Sequence, residues 1–483
     1  MYRLLPVLNV LGMLLFFFGA TYLLPIACSV IYSDGTASKF IYAMLICFGI
    51  GFLLWLLTFK HKRELQLRDG FLLVSLTWVL IPAIASIPLL LTISNLTFTD
   101  AFFESMSGLT TTGSTILVGI DKLPHAVNLW RHELNWLGGM GIILLAVAIL
   151  PLLGVGGMQL YKAESSGPMK DSKLTPRIAN TAKALWFLYF SLTAACIISL
   201  KLAGMNWFDA ICHGFATLAL GGFSTHDASV GHFNSPTIEA VIIVFMLIAG
   251  INFTTHFVAL HGRNVKVYWK DSEAKAFLAL IITSTLVCAT YLWYQGTYAE
   301  WLTALRHVSF NLVSMASGSG FVSQEFGKWP MFVPLWMLFL ATVAVSSGSA
   351  GGGIKMMRTL ILAKQSLREL QKLIHPNVVN PIYVNGMLIP DSIAGAVLGF
   401  VFLYVLTIVE LTFFQLASGL DFVSAFSAVV ACLTNSGVAL GVVVDNFKPL
   451  TDFQTWICSL AMLVGRLEIF SIAVLFTPYF WRQ

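Results

Sequence analysis

DAFFESMSGLTTTGST at residues 100–115 is the stretch that decides the fold, because three later stretches repeat its plan. Each begins with a short, moderately apolar run and ends in a small polar cluster around a central glycine. The other three are DAICHGFATLALGGFST at 209–225, HVSFNLVSMASGSGFVS at 307–323 and SAFSAVVACLTNSGVAL at 424–440. The central glycines are Gly113, Gly222, Gly320 and Gly437, spaced 109, 98 and 117 residues apart. A period near a hundred residues predicts four copies of one structural unit.

The composition around these stretches excludes a large soluble enzyme. Of the 483 residues, 57% are hydrophobic and only 11% are charged, whereas soluble domains carry roughly a quarter charged residues. Apolar runs near the ~20 residues needed to cross a bilayer recur along the chain. The ten predicted spans are 4–31, 40–58, 71–94, 136–155, 184–204, 237–261, 276–294, 330–346, 391–417 and 455–477. The expected fold class is therefore an all-α polytopic membrane protein with ten transmembrane helices.

The distribution of lysine and arginine predicts that both termini are cytoplasmic, because basic residues concentrate on that side of a membrane. Twenty of the 28 basic residues then lie inside, at the termini and in four connecting segments. Those segments are 59–69, 156–183, 262–275 and 354–375. Seven basic residues lie outside, and Arg466 alone falls within a span.

The four repeated stretches all fall in outer connections and are too short to cross. A half-helix that enters the membrane and returns leaves carbonyl groups unpaired, which is tolerated only where the backbone is buried or lines a water-filled cavity. Four glycine turns around one axis would present rings of carbonyls, the arrangement that replaces the hydration shell of an alkali cation. Ordinary Gly/Ser/Thr-rich loops are the alternative, but four loops in register with four span pairs favour an ion filter.

Two features near the cytoplasmic half of the predicted pore stand out. The eighth span is interrupted by SSGSAGGG at 346–353, and each interior glycine costs a helix ~1 kcal/mol relative to alanine. Broken spans in transporters mark the working site. Arg466 lies in the middle of the tenth span, where a charge costs at least ~2.5 kcal/mol. It should therefore face a hydrated cavity or a partner, the alternative being a local pair with Glu468.

The four turns, together with WLGGMGI at 136–142, SSGSAGGGIK at 346–355 and VGRLEIF at 464–470, resemble the Trk/Ktr/HKT superfamily of potassium transporters. The resemblance covers the whole chain and is closest to the bacterial Trk membrane subunits, which have two extra N-terminal spans. It implies four M1–P–M2 repeats with pseudo-four-fold symmetry around one pore, and a homodimer in the bacterial inner membrane. The implied units are two N-terminal helices at 1–69 and repeats at 70–155, 156–262, 263–375 and 376–483.

The resemblance also implies which residues act. The implied filter residues are Thr111, Thr112, Gly113, Gly221, Gly222, Phe223, Ser319, Gly320, Phe321, Asn435, Ser436 and Gly437. The interrupted span would be an intramembrane gate below the filter. The implied gate residues are Ser346, Ser347, Gly348, Ser349, Ala350, Gly351, Gly352, Gly353, Lys355 and Arg466. Val438 and Ala439 stand where the family often has proline and glycine, so we expect looser selection of K⁺ over Na⁺.

These features predict a gated potassium channel or uniporter and not an enzyme. An H⁺- or Na⁺-coupled potassium symporter is the alternative, although such transporters usually show inverted repeats. The chain is expected to bind no cofactor, with K⁺ as its substrate at the filter. It has no complete nucleotide-binding motif, so regulation by nucleotide would require a cytoplasmic nucleotide-binding subunit, which the resemblance implies is a TrkA-like ring. The expected docking surface is 354–375, with 156–178 and 262–275.

Overall fold

The computed structural model describes residues 4–61, 66–148 and 174–481, and these residues are predominantly helical. Of the predicted inside segment 156–183, residues 156–173 lie outside the described residues. Two N-terminal helices come first: Leu5–Thr21, which continues as Leu23–Tyr32, and Ala37–Thr58. They cross closely because Gly12 and Gly51 face each other, and a Cβ on Gly12 would lie 2.9 Å from the Gly51 carbonyl oxygen.

A three-helix pattern then occurs four times along the chain. The long first helices are Leu67–Ala85 with Ile87–Thr92, Leu174–Leu202, Ser272–Tyr294 and Asp391–Ala417. Half-helices 1 to 4, named in chain order, are Phe98–Leu109, Trp207–Ala219, Trp301–Ser317 and Phe422–Leu433. Return helices 1 to 4 are His125–Ala148, Pro236–Gly250 with Phe253–His261, Phe332–Val343, and Asp452–Arg466 with Ile469–Ala473.

Six helices in the described residues are long and apolar enough to cross a membrane, and two bent pairs raise the number to eight. Return helix 2 bends by 95° between its two parts, and return helix 4 bends by 106° after Arg466. For the other two of the ten predicted spans, the described residues do not form a helix that meets this length and hydropathy criterion. Span 136–155 lies partly in return helix 1 and then leaves the described residues. Span 330–346 shortens to Phe332–Val343, because the backbone turns into the glycine-rich loop.

A small β-hairpin corrects the all-α prediction. Strands Ile382–Val384 and Met387–Ile389 pair antiparallel, with Ile382 opposite Ile389. The turn between them is Asn385-Gly386, with φ of 51° and 75°, as a tight two-residue hairpin turn requires. The hairpin packs its buried side chains against the helix Met356–Ile374, which follows the glycine-rich loop.

Candidate functional site

The half-helices begin in a shared way that their sequences encode. In half-helices 1, 2 and 4 the residue thirteen positions before the central glycine donates its backbone N–H to a capping side chain. The bonds run from Asp100 N to Thr97 Oγ1 (3.1 Å), from Asp209 N to Asn206 Oδ1 (2.7 Å) and from Ser424 N to Asp421 Oδ2 (3.1 Å). Such caps satisfy N–H groups that have no partner within the helix. Half-helix 3 starts earlier in its repeat and has no side-chain cap.

The half-helices also end alike, immediately before their central glycines. The residue two before each glycine adopts a positive φ; these residues are Thr111, Leu220, Gly318 and Asn435. The next N–H donates to the carbonyl five residues back. These bonds are Thr112 to Ser107 (2.9 Å), Gly221 to Ala216 (2.8 Å), Ser319 to Ser314 (2.8 Å) and Ser436 to Ala431 (2.9 Å). The pattern is a Schellman motif, which stops a helix and satisfies its last carbonyls.

The central glycines continue this pattern, with φ of 82°, 65°, 82° and 76° in chain order. Within each turn, therefore, a left-handed residue is followed by a residue with negative φ and then by a left-handed glycine. Such alternation directs successive N–H groups to one side of the backbone. Because those N–H groups face the half-helix, the carbonyls face away from it.

The four turns form a closed ring in chain order. A methyl group added to any central glycine would overlap the carbonyl oxygen that precedes the glycine of the next turn. The overlaps are Gly113 on Gly221, Gly222 on Ser319, Gly320 on Ser436, and Gly437 on Thr112. The structure thus brings eight of the predicted filter residues together at one ring, and a Cβ would not fit at any of the four glycines.

The remaining predicted filter residues flank this ring. Asn435 donates from Nδ2 to Thr112 Oγ1 at 3.0 Å, which joins turn 4 to turn 1. Phe223 and Phe321 are buried. The Phe223 ring contacts the Arg131 guanidinium, and the Phe321 ring stacks on His213 with 5.9 Å between ring centroids. Thr111 is buried at the end of half-helix 1.

A cavity of about 1070 Å³, called the vestibule below, opens onto the ring. All four central glycines line it, and so do the segments that follow them in the chain. The orientation predicted from lysine and arginine places the vestibule on the outer side.

A buried ion pair braces the first turn. Arg131 Nε lies 2.7 Å from Glu104 Oε1, and both side chains are at most 1% exposed. Glu104 Oε2 also accepts from Ile116 N at 3.0 Å, so the carboxylate of half-helix 1 holds the segment after Gly113. The Arg131 guanidinium lies 4.2 Å above the Phe223 ring of the next turn. The pair therefore connects turns 1 and 2.

The sequence analysis missed this role of Arg131, which is one of the seven basic residues that it placed outside. The available signal was Arg131-His132-Glu133, three polar residues in a row within an otherwise apolar helix. His132 is also buried, and its Nε2 lies 3.0 Å from the Phe223 carbonyl oxygen.

The other turns have braces of different chemistry at similar places. Each half-helix supplies a polar side chain that bonds the segment after its own glycine. The bonds join His213 Nε2 with Ser224 Oγ (3.0 Å), Ser323 N with Asn311 Oδ1 (3.1 Å) and Leu440 N with Ser427 Oγ (2.9 Å). Each turn is thus tied to its own half-helix by a side-chain bond, and a preorganised backbone can replace a hydration shell without first rearranging.

The glycine-rich loop 344–355 is packed and hydrogen-bonded rather than slack. Ser346 N donates to the Gly250 carbonyl at 3.1 Å, and the Gly348 carbonyl accepts from Phe253 N at 3.2 Å. These two bonds tie the loop to the bend of return helix 2. Ser347 N donates to Glu273 Oε1 at 3.0 Å. Most of the predicted gate residues are buried; the exceptions are Gly348 and Lys355, which are partly exposed.

The loop lies against the ends of half-helices 3 and 4. A Cβ on Gly352 would overlap the Thr434 carbonyl oxygen, and a Cβ on Gly351 would lie 2.9 Å from the Ser317 carbonyl oxygen. Thr434 and Ser317 each stand three residues before a central glycine. The loop therefore approaches the ring on the side opposite the vestibule.

Arg466 holds this loop to return helix 1. Its Nη1 donates to the Ala350 carbonyl at 2.9 Å and its Nη2 donates to the Gly138 carbonyl at 3.1 Å. Arg466 is 2% exposed. The alternative of a local pair with Glu468 is wrong, because Glu468 pairs with Arg358 at 2.7 Å.

The breaks in return helices 3 and 4 share a backbone feature. Lys355 and Glu468 both adopt a positive φ, of 71° and 59°, immediately before a new helix begins. A positive φ is costly for residues with long side chains. The Arg358–Glu468 pair joins the two helices that follow these strained positions.

Comparisons with known proteins agree on one family. The family model for TrkH, described as a cation transport protein, matches residues 36–482. The chain is 48% identical over 476 residues to the Trk system potassium uptake protein TrkH of Escherichia coli K12, covering 98% of this chain and 99% of that protein. It is 38% identical over 478 residues to TrkG of the same strain, covering 99% and 98%. The crystal structure of the potassium transporter TrkH from Vibrio parahaemolyticus superimposes with a TM-score of 0.92, at 44% identity and 99% coverage of both chains.

Proposed function

Because the chain belongs to the TrkH family of cation transport proteins, we propose that it conducts K⁺ through a gated pore whose filter is the ring of four glycine turns. As the potassium uptake protein of a Trk system, it is a multi-pass membrane transporter, and its relatives carry transporter rather than enzyme names. The single observation that carries the filter proposal is the closed ring, in which each central glycine abuts a carbonyl of the next turn. K⁺ prefers oxygen ligands, and ring carbonyls supply them without a net charge.

The proposed filter also favours cations through its half-helices. Each half-helix points its C-terminal end at the ring, and that end of a helix carries partial negative charge. Four such ends around one axis add to the field of the carbonyls. The ring differs in side chain from turn to turn, which supports weaker discrimination of K⁺ from Na⁺ than a filter of four identical turns.

The proposed gate is the loop 344–355, held by Arg466. The loop touches the ends of half-helices 3 and 4 and lies on the far side of the ring from the vestibule. A fixed guanidinium beside this path would raise the barrier for a passing cation. We propose that opening withdraws the loop and breaks the bond between Arg466 and the Ala350 carbonyl.

The proposed handle for opening is the helix Met356–Ile374, which begins directly after the loop. It exposes an apolar row together with basic side chains. The exposed apolar residues are Leu367, Leu370, Leu373 and Ile374. We propose that the protein is a homodimer in the bacterial inner membrane, with both termini in the cytoplasm. A cytoplasmic nucleotide-binding subunit, a TrkA-like ring, would dock on this helix and on the basic segment 262–275.

The test is a flux assay on the purified chain in liposomes, with reversal potentials measured in opposed KCl and NaCl gradients. A uniporter should show a reversal potential that follows the relative permeabilities of K⁺ and Na⁺, with K⁺ the more permeable, and that is insensitive to a pH gradient. A shift of the reversal potential with the pH gradient, or K⁺ accumulation driven against its electrochemical gradient by an Na⁺ gradient, would instead support the coupled symporter. Equal permeability to K⁺, Na⁺ and Li⁺ would contradict the proposed filter.

A further inference from the structure

A cluster of histidine and carboxylate side chains lies at the rim of the vestibule, outside the ring and the gate. Asp121 comes from the turn Ile120–Lys122 of the first repeat, and His226 and His232 come from the corresponding region of the second. One ligand atom from each of the three residues lies within 4.8 Å of the others. The rings of His226 and His232 stack in parallel, with 3.5 Å between centroids. Because Asp121 and His226 are 105 residues apart, linear spacing could not reveal the cluster.

His226 stands between two carboxylates, and this constrains its protonation. Its Nδ1 faces Asp121 Oδ1, and its Nε2 lies 3.4 Å from Asp209 Oδ2. A neutral imidazole has one N–H, so one of its nitrogens would present a lone pair to a carboxylate. A metal ion bound at that nitrogen would accept the lone pair and remove its repulsion with the carboxylate.

Asp209 favours metal binding by His226, because it faces Nε2, the ring nitrogen remote from Asp121. Its carboxylate is held by Thr225 Oγ1 at 2.6 Å and by Asn206 Nδ2 at 2.7 Å. A carboxylate that accepts the N–H of a histidine fixes the tautomer whose other nitrogen can bind a metal. With Nε2–H directed at Asp209, Nδ1 of His226 is free to bind a metal together with Asp121.

The two loops of the cluster are held in place without any ion. Asp227 Oδ1 accepts from Gly119 N at 3.0 Å and from Ile120 N at 3.1 Å, and Asp121 Oδ2 accepts from Asp227 N at 3.1 Å.

We propose that Asp121, His226 and His232 form a binding site for a borderline divalent metal ion of the Zn²⁺ class at the vestibule rim. Two imidazole nitrogens and one carboxylate oxygen, with water in the fourth position, are a ligand set that suits Zn²⁺ and not an alkali ion. His226 also lines the vestibule, so a bound dication adds positive charge beside the path to the ring. The bound ion should therefore slow K⁺ influx from the vestibule side, a consequence that rests on the proposed function.

The test begins with calorimetric titration of Zn²⁺ into the purified full chain in lipid nanodiscs. We expect one Zn²⁺ per chain, and we expect His226→Ala and His232→Ala each to weaken binding more than tenfold. Asp209→Asn should weaken it by about 10-fold or more, as removal of an orienting carboxylate does. His261→Ala, an exposed histidine far from the cluster in the chain, is the matched control and should leave Zn²⁺ binding unchanged. Thermal unfolding of each variant verifies its folding.

The second measurement is Rb⁺ uptake with Zn²⁺ added on the vestibule side. Zn²⁺ should slow uptake by the wild type several-fold and have no effect on His232→Ala. Zn²⁺ binding that survives both histidine substitutions, or no binding by the wild type, overturns the site. Binding without slower uptake overturns the effect on influx and leaves the site standing. If the chain fails to transport Rb⁺ at all, the proposed function fails, while the titration still decides the metal site.

Discussion

At the scale of single residues, the central glycines meet two requirements that an experiment can separate. Gly437 has a φ of 76°, and its Cβ position is filled by the Thr112 carbonyl oxygen. Gly419 has a φ of 94°, but nothing lies within 4 Å of its Cβ position. A substitution at Gly419 therefore tests backbone strain alone, whereas one at Gly437 also displaces a ring carbonyl.

We predict that Gly437→Val and Gly320→Val abolish selective K⁺ uptake while the protein still inserts into the membrane. The added side chain would displace the carbonyls of Thr112 and Ser436, respectively, from the ring. Gly419→Ala should cost no more than ~1–2 kcal/mol of strain and keep K⁺ uptake. The measurements are Rb⁺ flux and surface labelling of inserted protein. Wild-type transport by both valine variants would contradict the four-turn filter.

A second residue-scale prediction concerns the buried brace. Glu104→Gln leaves the Arg131 guanidinium buried without its charged partner. Breaking a buried ion pair in this way typically lowers the free energy of unfolding by about 3–5 kcal/mol. We expect a clearly lower thermal unfolding midpoint and reduced K⁺ selectivity. Glu325→Gln removes the partner of Lys328 from a pair more than 70% exposed, so its midpoint should stay near that of the wild type. Equal midpoints for the two variants would show that Arg131 is not held by Glu104.

A third residue-scale prediction concerns the turn that contains Gly437. Val438 is 7% exposed, and no backbone hydrogen bond among the described residues uses its N–H. Val438→Pro together with Ala439→Gly should therefore be tolerated, since the proline removes no bond. The stiffer backbone beside Gly437 should raise the K⁺/Na⁺ permeability ratio obtained from reversal potentials. An unchanged ratio would mean that these two positions do not account for loose selection.

At the scale of elements, we propose that the loop 344–355 and Arg466 act together as a latch that keeps the pore closed. Arg466 spans from the Ala350 carbonyl to the Gly138 carbonyl, and so connects the loop to a helix of a different repeat. Loss of this bridge should free the loop even though the loop's bonds to return helix 2 remain.

We therefore predict that Arg466→Ala, and deletion of Ser347–Gly351, each raise basal K⁺ flux in liposomes and weaken its dependence on the regulatory subunit. The combined variant should show less than the product of the two increases, because both changes act on one barrier. Unchanged or lower flux in both single variants, with inserted protein, would place the gate elsewhere.

The elements also show how far sequence reasoning reaches. Half-helices and turns were predictable because caps such as Asn206 and glycines such as Gly222 act within a few residues. The hairpin at 382–389 was missed although Asn385-Gly386 between alternating apolar residues is a strong local signal. The Arg358–Glu468 and Arg131–Glu104 pairs were not predictable, because their partners are 110 and 27 residues apart and only the packed fold selects them.

At the scale of the whole molecule, the helix Met356–Ile374 is our proposed link between the pore and a regulatory subunit. Met356–Ile374 begins at the loop and is linked to the last of the long first helices by Arg368 and Asp391, 2.6 Å apart. A subunit that binds the exposed side of this helix can therefore pull on the loop. The family was predictable from motifs along the chain, whereas the closed order of the ring depends on contacts such as Ser114 Oγ with the Gly437 carbonyl, 323 residues apart.

We predict that Leu370→Glu weakens binding of the regulatory subunit at least tenfold and leaves basal K⁺ flux unchanged. Leu370 is 58% exposed, so the substitution costs little folding free energy but places a charge in the apolar row. Leu302→Glu, at an exposed position predicted on the opposite side of the membrane, is the control and should bind the regulator normally. Pull-down and light scattering of the complex measure both. Normal binding by Leu370→Glu would remove this helix as the docking surface.

The ring of four turns is encoded once, in a single gene, by four different stretches of codons. In a channel assembled from four copies of one subunit, every missense change appears in all four quadrants at once. Here a change at Ser319 alters one quadrant and leaves Thr112, Gly221 and Ser436 as they are. Natural variation can therefore adjust the ring one quarter at a time and reach asymmetric arrangements of side chains that a symmetric assembly can never sample.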